Sequence, residues 1–455
     1  MIFNEFRFVF FLAAVVALFF ALPRSARVYV LLGASWLFYG LSGVDHLAVL
    51  VGGVVWVYLL TRSDELRDRP WQLALAIAGP VAALFYYKYA DFVIGSVLPA
   101  SAQSEEVFSL FQDIVLPAGI SFFTFQLVSY AVDRYTARIA QPARLPDFAL
   151  YISFFPQLVA GPILRFDQVQ KSLATLKAYV PNHARLAEAA GYICFGLAAK
   201  VLIADTLDAQ LAPLVESPGE LSGSAAVYVI LGYSFQIYFD FYGYSMVAIG
   251  LGKIFGFDFP ANFNRPYSAA NPRDFWRRWH ITLSYWIRDY LYLPLGGNRH
   301  YLRNIAIVFA IAGLWHGAGW TFIVWGLYHA ALVIGYHLSA RWWDRLPMRA
   351  QQTANFTLVS IGWLLFLFSW TDLAHFGSSI ANAFGGAGGL GTTLEMWLVV
   401  AIAALVCFGV RFERLIHADP RSLLRTASYS AGLGVLLVAT FLFIDRSQTF
   451  IYFRF

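Results

Sequence analysis

Residues 304–320, Asn304-Ile-Ala-Ile-Val-Phe-Ala-Ile-Ala-Gly-Leu-Trp-His316-Gly-Ala-Gly-Trp320, form an apolar run that ends on an imidazole. Asn304 to His316 is 13 residues. That is about 20 Å of helix at about 1.5 Å per residue, against a hydrocarbon core of about 30 Å. A helix entering from the basic side therefore stops inside a membrane and leaves His316 there. Gly317-Ala-Gly319 lets the chain turn at that depth, and Trp320 to Arg341 returns past His329 and His337. An ionisable group so placed is costly and by default faces a cavity.

The whole chain has the composition such a helix requires. Of 455 residues, 59% are hydrophobic, 18% aromatic and only 13% charged; the mean hydropathy is +0.60. A soluble domain carries about a quarter charged residues, so a soluble globular protein is excluded. The expected class is an all-α polytopic membrane protein, with residues 1–455 as a single transmembrane domain. Apolar stretches fall at about 28–42, 47–61, 71–87, 114–131, 186–204, 224–252, 304–340, 354–371, 394–410 and 428–444. Met1 to Ala21 carries Glu5 beside Arg7 and leads straight to the next run, so it reads as a first membrane helix rather than a secretory signal. Cys194 and Cys407 lie far apart in apolar surroundings and read as buried small residues, with no disulfide framework or metal knuckle.

The net charge of +5 is scattered in short runs between apolar stretches, which speaks for membrane orientation and against nucleic acid. Arg24/Arg27, Arg62/Arg67/Arg69, Arg134/Arg138/Arg144, Arg265 to Arg303, Arg341/Arg345/Arg349 and Arg411/Arg414/Arg421/Arg425 mark the cytoplasmic side. Residues 43–46, 99–113, 205–222 and 372–393 contain no Lys or Arg and include Glu105, Glu106, Asp205, Asp208, Glu216, Glu220 and Asp372, so they are expected outside. The alternation puts both termini outside.

Non-helical backbone at membrane depth survives only where protein or a water-filled cavity satisfies it. Two segments carry that signature. In residues 150–166, Pro156 and Gly161-Pro162 interrupt an apolar stretch flanked by basic loops, which fits a re-entrant hairpin; the other reading is a kinked ordinary span. Residues 262–329, the most polar and aromatic part of the chain, are the second and the candidate catalytic segment. There Asn271 before Pro272 reads as an N-cap with Pro at the first helical position. The expected helix carries Asp274, Arg277, Arg278 and His280 on to Tyr290, with Asp274 and Arg278 paired at i,i+4. That basic, aromatic face suits membrane lipid headgroups or a phosphorylated cytosolic donor, and Arg277, Arg278 and Trp279 are its candidate donor-binding residues.

Histidine accepts and returns a proton near neutrality, which makes His316 the candidate proton-transfer group. Its company sharpens that reading: a short helix, Trp315 and Trp320, neighbouring glycines, and His280 at the end of an adjacent polar helix. His329 reads as packing or support, and His46, His183, His300, His337, His375 and His417 as surface groups. No zinc spacing, Gly-x-Ser-x-Gly, Walker or dinucleotide fingerprint occurs, so no metal is expected.

Longer motifs carry a resemblance: Phe155-Pro-Gln-Leu-Val-Ala-Gly-Pro-Ile-Leu-Arg165, Tyr238-Phe-Asp-Phe-Tyr-Gly-Tyr-Ser245, Phe275-Trp-Arg-Arg-Trp-His280 through Tyr292, Leu295-Gly-Gly-Asn-Arg299 and Gly313-Leu-Trp-His-Gly317. With them the chain resembles the membrane-bound O-acyltransferase family in its bacterial, alginate-acetylating branch. Tyr242 and Met246 depart from the family pattern, which has a small residue and an Asp there. The resemblance implies about eleven spanning helices plus re-entrant pieces around a central thin region. It also implies a tunnel through which His316 is reachable from both sides. His316 would be catalytic and His280 a second functional histidine.

The expected activity is that of a membrane O-acetyltransferase of the bacterial inner membrane. It would take acetyl from cytosolic acetyl-CoA, as donor substrate rather than bound cofactor, toward an exported polysaccharide. His316 would be general base; His280 would orient the reactants or stabilise charge at the thioester oxygen. The resemblance further implies a separate periplasmic SGNH-type acetyltransferase as partner, docking outside, since no soluble catalytic domain is expected after residue 445. The alternatives are another glycan such as peptidoglycan or cellulose, or D-alanine from a carrier protein for teichoic acid. A transporter or lipid flippase with proton-relaying histidines is the rival from another class, against which stands the lack of an internal repeat.

Overall fold

A computed structural model describes residues 3, 5–96, 114–159, 161–384, 389–416, 423–444 and 450. Among these the chain is all α, with one isolated bridge between Leu221 and Leu390. His417, Glu105, Glu106, Arg421 and the C-terminal Ile-Tyr-Phe-Arg-Phe of residues 451–455 lie outside the described residues.

Among the described residues, four helical stretches are long and apolar enough to cross a membrane: Val44–Thr61, Pro70–Ser96, His183–Glu216 and Trp320–Trp343. Phe6–Ala21, Leu394–Gly409 and Ser428–Phe443 are apolar but shorter. Several apolar runs of the sequence are subdivided because glycine, proline and π-turns interrupt the i→i−4 ladder. The run at 304–340 is two helices, Tyr301–His316 and Trp320–Trp343; the run at 354–371 breaks after Met348–Gly362. The acidic stretch after residue 204 is not a loop: Asp205–Glu216 is helical, continuing from a π-turn at Ala199–Ala204, and Asp205 is buried.

The chain divides into two compact units. The first comprises residues 1–189 and 248–260. An aromatic cluster of Phe8, Phe38, Phe155 and Phe255 sits in its core. Here the 150–166 segment is a broken path: the helix Leu145–Ser153 ends at Phe154, a single turn Phe155–Leu158 follows, and helix resumes at Phe166–Thr175. Its freed backbone groups are recovered locally. Phe155 N–H donates to Ser35 Oγ (3.1 Å), Tyr151 Oη to Leu164 O (2.9 Å) and Gln157 Nε2 to Tyr151 O (2.5 Å). Gly161 lies so close to Gln157 that a Cβ there would come within 2.4 Å of its Cα.

The second unit, residues 190–247 and 261–455, holds every candidate site residue. Its central feature is the antiparallel pair Tyr301–His316 and Trp320–Trp343. Small residues let membrane helices approach closely, and here two are required. A Cβ on Gly313 would sit 2.1 Å from Phe322 O, and one on Gly326 2.1 Å from Phe309 O. At the start of the pair, the Leu295-Gly-Gly-Asn-Arg turn puts Gly296 and Gly297 at φ +96° and +54°. Asn304 Nδ2 pins it by donating to Leu295 O (3.1 Å) and Gly297 O (2.8 Å).

Candidate functional site

The helix Tyr301–His316 ends on His316, because Gly317 and Gly319 continue in extended conformation at φ −155° and −170°. At 16 residues it is about 24 Å long, so it ends short of a bilayer's span, as the sequence predicts. The Phe322 ring then folds over Gly317, where a Cβ would be 2.2 Å from the ring. His316 is 3% exposed. Its ring meets Trp315, Trp325 and Phe366 edge-on at centroid distances of 4.8, 5.1 and 5.4 Å. These three aromatic rings close round the imidazole and restrict its orientation.

His280 is placed by a different device. The helix expected to run from Pro272 to Tyr290 breaks: Pro272–Trp276 is one short helix and Ile281–Ile287 another, with His280 between them at φ +42°. Left-handed backbone at a non-glycine costs about 1–2 kcal/mol and persists only where surroundings impose it. Asn262 does so. Ile281 N–H donates to Asn262 O (2.9 Å), and Asn264 N–H to Arg278 O (2.9 Å). The Asn262 side-chain oxygen accepts from Thr282 N–H (3.3 Å), Thr282 Oγ1 (2.9 Å) and His280 Nδ1 (3.1 Å). Since the Thr282 amide can only donate, the atom it meets is the amide oxygen, and His280 must carry its proton on Nδ1. In the neutral ring Nε2 is then the basic nitrogen. His280 is fully buried, edge-on to Phe241 at 4.7 Å. Trp315 lies against both imidazoles, 6.0 Å from His280 and 4.8 Å from His316, so one indole links them.

The other sequence candidates separate clearly. Asn271 caps its helix through Asp274 N–H (2.8 Å), and Arg278 Nε donates to Asp274 Oδ1 (2.9 Å), both as expected. Arg277 is exposed. Trp279 is fully buried among Phe263, Phe275 and Trp363. His329 is fully buried between Trp276 (5.1 Å) and Trp325 (4.9 Å), and neither ring nitrogen has a hydrogen-bond partner among the described residues. Tyr242 donates to Glu413 (3.1 Å) and stacks on Tyr238, while Met246 is packed beside Gly196. His183, His300, His337 and His375 are exposed and His46 half-buried; His337 meets Arg273 at 3.2 Å. Among the described residues no three His, Cys, Asp or Glu side chains gather as a metal set.

Two features escaped sequence reasoning. Asn262 enters the sequence reading only as the first residue of the 262–329 segment, because its role depends on a fold-back of 18 residues. Lys200 was unremarked within an apolar run, yet its ammonium lies 2.5 Å from Asp205 and 2.6 Å from Asp240, with all three buried. The signal was present: a lysine inside a membrane segment calls for a carboxylate partner, and Asp240 stands in the quoted Tyr-Phe-Asp-Phe motif.

The model of the membrane-bound O-acyltransferase family matches residues 80–378. The chain is 36% identical over 394 residues to a probable alginate O-acetylase of Azotobacter vinelandii, covering 82% of this chain and 76% of the relative. It is 35% identical over 382 residues to a peptidoglycan O-acetyltransferase of Helicobacter pylori, covering 76% and 71%. A teichoic acid D-alanyltransferase of Streptococcus thermophilus is 26% identical over 380 residues, covering 77% and 85%.

Proposed function

The chain belongs to the membrane-bound O-acyltransferase family, as a multi-pass membrane acyltransferase, and from that premise we propose that it moves acetyl from cytosolic acetyl-CoA across the bacterial inner membrane to O-acetylate an exported, alginate-like polysaccharide. His316 is the general base. It draws the proton from the attacking hydroxyl and returns it to the departing thiolate, a role that contributes about 10²–10⁴-fold. His280, its Nδ1 proton held by Asn262, orients the reactants. A periplasmic SGNH-type acetyltransferase relays the acetyl group to the polymer.

The observation that carries this reading is the position of His316: an enclosed imidazole at the end of a helix too short to span the membrane, reached through a glycine contact that brings the returning helix beside it. Buried titratable groups in such places serve chemistry more often than packing. Peptidoglycan as acceptor is the second reading, favoured by the near-equal identity of the Helicobacter relative.

The test is His316→Ala in the native host. Polymer acetylation should disappear while the protein remains at normal level in the membrane; retained acetyl content removes the histidine from this role. Label from acetyl-CoA, compared with label from a charged carrier protein, decides the donor.

A further inference from the structure

Acyl transfer places a negative charge on the carbonyl oxygen, and a base alone does not stabilise it. Enzymes supply hydrogen-bond donors held in place for that oxygen, in surroundings where water cannot compete. A donor of this kind is a buried N–H that the folded protein leaves without an acceptor. The indoles of Trp276, Trp279 and Trp325 each have such a buried N–H among the described residues. Of these three, it is Trp325 whose ring lies against His316, at 5.1 Å and 85°.

Trp325 is also rigid. It is fully buried, stacked on Trp363 at 5.5 Å and 25°, and flanked by Phe366 at 5.3 Å, His329 at 4.9 Å and Trp276 at 5.8 Å. The same glycine contact fixes it relative to the base. Gly326, the next residue, touches Phe309 O, and Gly313, three residues before His316, touches Phe322 O. Indole and imidazole are thus tied together across the helix pair before any substrate arrives. An N–H buried without an acceptor is unfavourable and calls for an explanation; an acceptor that exists only during the reaction supplies one.

We propose that the Trp325 indole N–H is a catalytic hydrogen-bond donor to the oxyanion formed beside His316. The inference rests on the acyl-transfer reading above. The acceptor oxygen bonds to the thioester carbonyl carbon as its proton passes to His316, and the carbonyl π pair moves onto the oxygen facing Trp325 Nε1–H. Collapse restores the carbonyl and breaks the C–S bond, and the proton on His316 goes to the sulfur. Ester and thiol are the products, and the indole keeps its proton throughout.

Trp325→Phe removes the N–H and retains an aromatic ring. Thiol release from acetyl-CoA, measured in inverted vesicles of the host strain against a His316→Ala background, should show kcat reduced by about 10²–10³-fold. KM for acetyl-CoA should stay within about twofold and the melting temperature should be preserved. Trp276→Phe deletes an equally unpartnered indole N–H from a ring that flanks Trp325 without contacting His316, so its loss of kcat should be smaller than that of Trp325→Phe by about tenfold or more. Where Phe at 325 prevents folding, β-(3-benzothienyl)alanine at that position keeps the bicyclic shape, exchanges N–H for sulfur, and should give the same loss of kcat. A Trp325 variant within about twofold of wild-type kcat overturns the proposal. So does a rise in KM that accounts for the whole loss, or an equal loss in Trp276→Phe. Failure of the acyl-transfer reading is distinguishable, because wild type would then release no thiol above the His316→Ala background.

Discussion

Gly313→Ala puts a methyl group where the returning helix already is. The added Cβ would stand 2.1 Å from Phe322 O, and real side chains keep such contacts at 3.0 Å or more, so the two helices must part by about 0.9 Å at this point. Overpacking costs about 1–3 kcal/mol, while replacing glycine by alanine within a helix returns about 1 kcal/mol. The net stability loss is therefore about 0–2 kcal/mol, and the protein should still fold. Function is far less tolerant. His316 lies one turn beyond Gly313, and Trp325 precedes Gly326 across the contact, so a shift of this size moves the base relative to the groups facing it. A misplacement of about 1 Å costs about 10²-fold in rate. The assay pairs acyl-transfer kcat with the melting temperature in detergent, for Gly313→Ala and for Gly326→Ala, whose Cβ would meet Phe309 O at the same 2.1 Å. Gly335→Ala on the same returning helix has open space around its Cβ and serves as control, with unchanged rate and a stability gain of up to about 1 kcal/mol. Wild-type kcat in both Gly313→Ala and Gly326→Ala would refute the reasoning.

Two further substitutions probe what holds the site in place. Asn262→Leu removes the oxygen that accepts from His280 and twice from Thr282. At about 1 kcal/mol per bond, stability should fall by about 2–3 kcal/mol and kcat should fall with it, read by thermal unfolding and transfer rate; a stable, fully active variant would remove Asn262 as the support of His280. Lys200→Met leaves Asp205 and Asp240 buried without their cation. Breaking such a pair costs about 3–5 kcal/mol, so membrane yield should collapse, whereas removing all three charges together with Asp205→Asn and Asp240→Asn should recover much of it. Equal yields of the single and triple variants would contradict this.

Membrane character, helical class and the stopping of one helix at His316 were legible in the chain, because each follows from composition or from local spacing. Thirteen residues from Asn304 cannot span hydrocarbon whatever surrounds them. The Asn271 cap and the Asp274–Arg278 pair were legible for the same reason, since their partners lie within four residues. The continuous helix expected over 272–290 was not borne out: local propensity favours continuation, but hydrogen bonds accepted by Asn262, distant in sequence, hold His280 in left-handed backbone. Asp205 was read as an outer loop residue because acidic stretches lacking Lys and Arg usually are; Lys200 and Asp240 make it a buried partner.

By itself, then, the sequence determined a helical membrane protein with one helix that stops at His316, since hydropathy and chain length act on each segment separately; the acyltransferase reading came from the longer motifs and the family they resemble. Only tertiary structure decided what faces that imidazole. The Trp325 ring, the Gly313 and Gly326 contacts and the link through Trp315 to His280 are made where separate segments close against one another. Close packing across such contacts is set by the shapes of both partners at once, and no single stretch of chain contains both.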